Sequence, residues 1–117
     1  MTDVIFSGRA LEDLAAIRDY SASTWGDAVA AHYIKKFADA ADLLAGHPGL
    51  LREHTAYPGP LRFYRVEQHW LICAEAHGTI CIIAIMHVAL DLPRRLYVLE
   101  PTLMGEAKRL LQRLRTT

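Results

Sequence analysis

An α+β fold is predicted for this chain of 117 residues. Three observations predict it. A short alternating segment at the start is followed by two longer segments with helical apolar spacing. Three short apolar segments then follow one another, with links too short for crossover connections, so they form an antiparallel meander. The last segment repeats apolar residues at helical spacing again. The expected order is therefore β-α-α-β-β-β with an extra C-terminal helix.

The first strand and a helical hairpin are predicted before residue 46. Residues 3–7 suit a short strand, and Ser7 is a plausible N-cap for a helix over about 8–24. Gly26 fits a helix-ending position, and Asp27 can cap a second helix that runs to about residue 45. One face of the first helix carries Leu11, Leu14, Ile17 and Ser21, and the apolar stripe of the second is Ala30, Ile34, Phe37, Ala41 and Leu44.

The meander follows a loop over residues 46–60, which holds three glycines and three prolines. Its strands are expected at about 61–67, 69–76 and 79–88, and the first strand of the chain should join the same sheet. The last strand opens with the run ICIIAIM from Ile80 and is apolar on both faces. The helical hairpin can cover one face of the sheet, and the other face also needs a cover.

The two cysteines are expected to be small buried hydrophobic residues. If His77-Gly78 forms a tight turn, Cys73 pairs opposite Ile82 and Cys81 opposite Ala74. The two sulfurs then point to opposite faces of the sheet, so a disulfide is not expected.

The segment from Glu100 to Thr117 is predicted to be the C-terminal helix. Pro101 suits its first turn. Its apolar stripe is Leu103, Ala107, Leu110, Leu111 and Leu114. Lys108, Arg109, Arg113 and Arg115 make the helix basic, so it could bind nucleic acid, a membrane surface or a partner groove. Packing on its own sheet is the favoured reading, because that sheet has a face to cover.

Composition bounds the class of protein. A chain with 52% apolar and 22% charged residues is globular, and its length suits one domain over residues 1–117. No apolar run approaches the roughly 20 residues that span a bilayer, and the start of the chain does not look like a secretion signal, so a cytoplasmic protein without membrane contact is expected.

The formal net charge is zero, but the two halves of the chain differ. Up to Leu51 there are four Lys/Arg and seven Asp/Glu, and after it there are nine Lys/Arg and six Asp/Glu. The histidines lack metal-ligand spacing and nucleotide-binding motifs are absent, so neither metal nor cofactor is expected.

Two segments carry a resemblance to a known family. VIFSGRALEDLAAIRDYSASTWG near the start and ICIIAIMHVALDLPRRL from Ile80 to Leu96 resemble the RelE/ParE superfamily of toxins from bacterial toxin–antitoxin modules, and the ParE branch more than RelE. The resemblance implies a family-type fold over residues 1–96 and a helical extension over 97–117. The chain departs from ParE relatives at two places. Its FYRV motif, Phe63 to Val66, lies one strand early, and Val88-Ala89 stand where relatives often carry an arginine after the histidine.

The resemblance implies a toxin that inhibits DNA gyrase by binding, so no catalytic residue is required. It also implies a small ParD-like antitoxin that folds onto the toxin, and no sequence-specific DNA binding by the toxin alone. The expected contacts to the target are His87, Arg94 and Arg95. The candidate antitoxin anchors, which could equally belong to the core, are Leu14, Ile17, Tyr20, Trp25 and Tyr33.

Two alternatives stay open at this point. A RelE-type ribosome-dependent mRNA endonuclease would use basic groups and a tyrosine, for which the chain offers Arg62, Arg65, His87 and Tyr97. The strands WLICAEA and ICIIAIM hold no lysine or arginine, which leaves that set incomplete. The other alternative is a non-toxic module that binds an antitoxin, suggested by the missing arginine after His87. His87 itself could simply be a strand-end histidine bonded to Asp91 or to the backbone.

Overall fold

The helices and strands follow the predicted order. The computed structural model describes residues 2–53, 60–89 and 92–116, with the side chains of 92–100 and 114–116 left out of that description. The strands are β1 (Asp3–Phe6), β2 (Arg62–Val66), β3 (His69–Ala76) and β4 (Thr79–His87). The helices are α1 (Gly8–Trp25), α2 (Asp27–Gly46) and α3 (Leu92–Thr116), and a short 3₁₀ turn covers Pro48–Leu50. The α+β fold is therefore confirmed.

The four strands form one sheet in the order β1-β4-β3-β2. β1 runs parallel to β4, and the other neighbours are antiparallel, as a meander requires. Cys73 lies opposite Ile82 and Cys81 opposite Ala74, which confirms the predicted register. Both cysteines are buried and free, and they belong to hydrophobic clusters on opposite faces of the sheet.

A β-bulge in β4 changes which side chains face the helical hairpin. Ile82 pairs with Cys73 and Ala84 pairs with Ile72, so Ile83 has no partner of its own. Before the bulge, Ile80 and Ile82 face the hairpin; after it, Ile85 does. An extra residue moves every later side chain to the other face of the sheet. The bulge therefore turns His87, at the end of β4, toward the hairpin.

Both faces of the sheet are covered by helices. The face under α1 and α2 is built on a cluster of buried residues: Ala10, Phe37, Ala40, Leu44, Leu51, Val66, Leu71, Cys73, Ile80, Ile82 and Ile85. On the other face, Leu103 and Ala107 of α3 pack on a second cluster of sheet residues. These clusters explain how β4 can be buried along almost its whole length, from Thr79 to Met86. The prediction that the C-terminal helix packs on its own sheet is confirmed.

The predicted start of the C-terminal helix is wrong. The helix begins at Leu92 rather than near residue 100, and Pro101 lies inside it. Pro93 suits the first turn, where no helical N–H bond is lost. Pro101 removes one hydrogen bond, and the burial of Leu103 and Ala107 against the sheet keeps the helix continuous through that point.

Two local predictions about the hairpin are also corrected. Gly26, with φ of 95°, both ends α1 and precedes α2, so Asp27 is the first residue of α2 rather than its cap. Leu11 is 54% exposed, and its neighbour Ala10 is buried in its place. The predicted cap at Ser7 is confirmed, since its Oγ accepts a hydrogen bond from the Ala10 N–H at 3.1 Å. In the described part of the chain, no helix is long and apolar enough to cross a membrane.

Candidate functional site

An apolar cleft of about 520 Å³ opens between the helical hairpin and the ends of β3 and β4. Its walls come from the C-terminal half of α1 and the N-terminal half of α2, and its floor comes from the sheet. The residues that line it are Ala16, Ile17, Tyr20, Ser21, Trp25, Val29, Tyr33, Gln68, His69 and His87. A volume of this size is typical of sites that bind small molecules or the side chains of a partner.

The rim of the cleft exposes large apolar side chains. Tyr20 is 65% exposed, Trp25 is 61% exposed and Val29 is 49% exposed. The rings of Tyr20 and Trp25 meet edge to face, with their centroids 6.0 Å apart. Both rings belong to the end of α1, and α2 starts at Asp27, two residues after Trp25, so Val29 of α2 lines the same cleft. A contiguous exposed apolar surface of this kind marks an interaction site.

Polar groups occur at the floor of the cleft, where α2 meets the sheet. The Tyr33 hydroxyl lies 2.8 Å from Nδ1 of His69, and it accepts a longer hydrogen bond of 3.4 Å from the Gln68 N–H. The ring of His69 also meets the ring of His87 edge to face, with centroids 5.1 Å apart. The register places these two histidines directly opposite each other on β3 and β4.

Burial keeps His69 neutral. Desolvation, reinforced by repulsion from His87, lowers the pKa of His69 from 6.5 to about 4. Desolvation likewise raises the pKa of the Tyr33 hydroxyl, so Tyr33 holds its proton at neutral pH. The hydrogen bond between the Tyr33 hydroxyl and Nδ1 of His69 therefore joins two neutral groups.

His87 makes the backbone contact that was one of its two predicted readings. Its Nδ1 accepts a hydrogen bond of 2.9 Å from the Ala89 N–H. Asp91, the other predicted partner, lies outside the described residues. His87 nevertheless lines the cleft, so its structural contact leaves the rest of an exposed ring available to a partner.

Four of the five predicted antitoxin anchors meet in this cleft, namely Ile17, Tyr20, Trp25 and Tyr33. The fifth, Leu14, packs against the hydrophobic cluster beneath the hairpin instead. Their role in binding an antitoxin remains a prediction.

The sequence reading missed Val29, Gln68 and His69 as cleft residues. Val29 could have been found, because it lies one helical turn before Tyr33. The face of His69 follows from alternation with Leu71 and Cys73 along β3, but its pairing with His87 does not, because a meander continued from the Cys73–Ile82 pair without a bulge would place it opposite Met86.

Arg62, Arg65 and His87, which the nuclease alternative would use together, do not lie close to one another. Phe63 and Val66 alternate between the two clusters along β2, so Arg62 and Arg65 project from opposite faces of the sheet. Arg65 lies over the Trp70 ring at 6.0 Å and donates to the Glu67 carbonyl. Arg62 pairs with Glu53 at 3.4 Å, at the end of β2 that is remote from His87.

Three further predicted site residues, Arg94, Arg95 and Tyr97, belong to the first turns of α3. Their side chains lie outside the described part of the chain. Their predicted roles toward a target or a substrate therefore stay predictions.

The chain is similar to a solved structure in fold and to a known family in sequence. In fold, the chain resembles a solved chain of the chromosomal ParDE TA system from P. aeruginosa, with a TM-score of 0.67 and 18% identity, over 75% of this chain and 97% of that one. In sequence, residues 4–92 match the family of the ParE toxin of type II toxin–antitoxin systems, parDE. Toxin ParE of Escherichia coli is 32% identical over 97 residues, which is 82% of this chain and 94% of that protein. The chain therefore belongs to the ParE toxin family of type II toxin–antitoxin systems.

Proposed function

We propose that this ParE-family toxin acts in the cytoplasm by binding and inhibiting DNA gyrase. The observation that supports inhibition rather than catalysis is the separation of Arg62, Arg65 and His87, which cannot act together on one phosphate. Catalysis by general acid–base groups requires them within hydrogen-bond reach of the same reacting atoms. An inhibitor needs only a complementary surface, for which His87, Arg94 and Arg95 are the candidate contacts.

We further propose that a small ParD-like antitoxin neutralises the toxin by covering the apolar cleft. Tyr20, Trp25 and Val29 remain largely exposed in the free chain, so a covering segment would remove their apolar surface from water. A largely preformed groove between two helices and a sheet also suits an amphipathic helix or an extended segment that folds on binding.

The target is tested by induced expression in bacteria without antitoxin. We expect filamentous cells with a DNA-damage response and intact messages, and purified toxin should inhibit supercoiling and trap cleaved DNA in a reaction with gyrase alone. Rapid loss of messages without DNA damage would contradict gyrase inhibition and favour the nuclease. Soluble protein without any growth defect would favour the non-toxic antitoxin-binding module that Val88-Ala89 suggests.

The cleft is tested by alanine substitution at its rim. Trp25→Ala and Tyr20→Ala should each weaken antitoxin binding by at least about tenfold, since buried aromatic anchors commonly carry about 1–4 kcal/mol of binding energy. Leu11→Ala is the matched control, because Leu11 is an equally exposed apolar residue of α1 that does not line the cleft. Equal affinities for all three variants and the native chain would show that the antitoxin binds elsewhere.

A further inference from the structure

The apolar cleft carries two histidine rings, and the ring hydrogen of His87 is placed by its surroundings. His87 accepts the Ala89 N–H at Nδ1, so its ring hydrogen must reside on Nε2. Nδ1 of His69 is engaged by the Tyr33 hydroxyl, which leaves Nε2 as the nitrogen of His69 that a further partner can reach. His87 therefore presents an Nε2–H donor of defined tautomer, and the ring of His69 lies beside it.

Neither Nε2 atom has a hydrogen-bond partner among the residues that the structure describes. His87 is exposed and His69 is half-buried, so both rings keep some contact with solvent in the free chain. Both histidines line a cleft whose walls are otherwise almost entirely apolar. Any segment that covers the cleft removes the Nε2–H donor of His87 from bulk solvent.

We infer that the antitoxin segment that covers the cleft must bring an acceptor oxygen to the His69–His87 pair, beside the apolar side chain that contacts Trp25. This inference rests on the proposed function of the cleft as the antitoxin site. A purely apolar segment would leave the Nε2–H donor of His87 buried without a partner, and that penalty weakens binding. The histidine pair therefore selects a partner by chemistry, whereas the aromatic rim supplies apolar contact area.

The inference is tested by exchanging the ring of His87 for one without a donor. His87→Phe keeps a planar ring and should weaken binding of the purified antitoxin by about 5- to 100-fold, since the acceptor then loses its partner. His87→Gln places an amide N–H near the position of Nε2 and should recover most of the lost affinity. His32→Phe, at an exposed position of α2 outside the cleft, is the matched control and should bind like the native chain.

The source of the acceptor is identified by pairing His87→Phe with single alanine substitutions of the acidic residues of the antitoxin. If the two losses are not additive for one acidic residue, the acceptor is its carboxylate. If His87→Phe weakens binding and every combination is additive, the acceptor is a main-chain carbonyl or a neutral polar side chain rather than a carboxylate. Both outcomes support the inference.

The inference is overturned if folded His87→Phe and His69→Phe bind the antitoxin as tightly as the native chain or more tightly. That outcome would show that the segment in the cleft is purely apolar there. If Trp25→Ala still weakens binding, the antitoxin nevertheless occupies the cleft. If Trp25→Ala and His87→Phe are both without effect, the proposed site itself fails. Circular dichroism and thermal unfolding of each variant confirm that the native fold is compared in every case.

Discussion

The carboxylate of Asp13 on α1 accepts a hydrogen bond of 2.9 Å from the main-chain N–H of Ile85 on β4. β1 pairs with β4 only as far as the Phe6–Ile82 pair, so the later part of this edge of β4 has no neighbouring strand among the described residues. Asp13 and Ser7, whose hydroxyl donates to the Ile83 carbonyl at 3.0 Å, satisfy the edge in place of a strand. Side chains of α1 and its cap therefore complete the sheet beside the cleft.

The Asp13 contact predicts a pH-dependent stability. Desolvation, the largest cause, raises the pKa of Asp13 above its ordinary 3.8 although the Ile85 hydrogen bond lowers it. The native state thus holds this proton more tightly than the unfolded chain does. The stability that this provides is complete below about pH 3.8 and is lost as the pH rises through the raised pKa.

Asp13→Asn, which keeps an acceptor oxygen and cannot ionise, should therefore gain stability relative to the native chain between pH 4 and 7. Urea unfolding at the two pH values measures the difference in the free energy of unfolding. Asp19→Asn, on an exposed position of the same helix, is the control and should show no such trend. The predicted sign would be contradicted if the free energy of unfolding of the native chain increased relative to that of Asp13→Asn as the pH rises.

The lowered pKa of His69 predicts that the native state loses stability as the pH falls, which is the opposite of the trend at Asp13. Its pKa falls from 6.5 to about 4 in the native state, so the stabilising contribution is complete above pH 6.5 and is lost as the pH falls toward 4. Relative to His69→Phe, the native chain should lose up to about 2 kcal/mol over that range, allowing for solvent screening of a half-buried ring. Thermal unfolding across the range measures it, and an NMR titration of His69 with a midpoint near 6.5 would refute the assignment.

The helix cap at Ser7 is expected to contribute more to the free energy of unfolding than an ordinary helix cap does. Its hydroxyl accepts from the Ala10 N–H and donates to the Ile83 carbonyl in a buried position, so Ser7→Ala leaves two buried groups without a partner. The free energy of unfolding should fall by about 1–3 kcal/mol. Ser23→Ala removes an exposed hydroxyl contact on α1 and should cost less than about 0.5 kcal/mol. Equal losses for the two variants would contradict the double role of Ser7.

The docking of α3 on the sheet is testable at Leu103, which is fully buried against the sheet. Leu103→Ala should lower the free energy of unfolding by about 2–4 kcal/mol, because it opens a cavity between α3 and β4. Leu11→Ala is the same substitution at an exposed helical position and should cost less than about 1 kcal/mol. A loss at Leu103 no larger than at Leu11 would mean that α3 does not pack on the sheet in solution.

The order of the elements and the register of the meander were predictable because they depend on local features. Helical spacing, a glycine at position 26 and short links between apolar segments restrict the chain to one arrangement. The positions of Cys73 and Cys81 followed from a single tight turn at His77-Gly78, whose residues both adopt positive φ. The start of α3 was not predictable in this way, since Pro101 resembles a helix start and only packing against the sheet carries the helix through it.

The cleft was predicted in part. Ile17, Tyr20, Trp25 and Tyr33 follow from their positions on two adjacent helices, where helical period brings them to one side of the hairpin. Leu14 occupies the same helix but lies over the sheet, and the sequence alone does not tell a core position from a rim position.

By itself the sequence determined the element order, the strand register as far as Ile82 and the family, because each depends on local spacing or on similarity along the chain. The tertiary structure alone decided which side chains face one another beyond that point. The bulge at Ile83 pairs His69 with His87 and turns His87 toward the cleft, and alternation along β2 separates Arg62 from Arg65. A bulge inserts one residue without altering the apolar pattern of a strand that is buried on both faces, so its position is set by packing of the whole sheet between its helices.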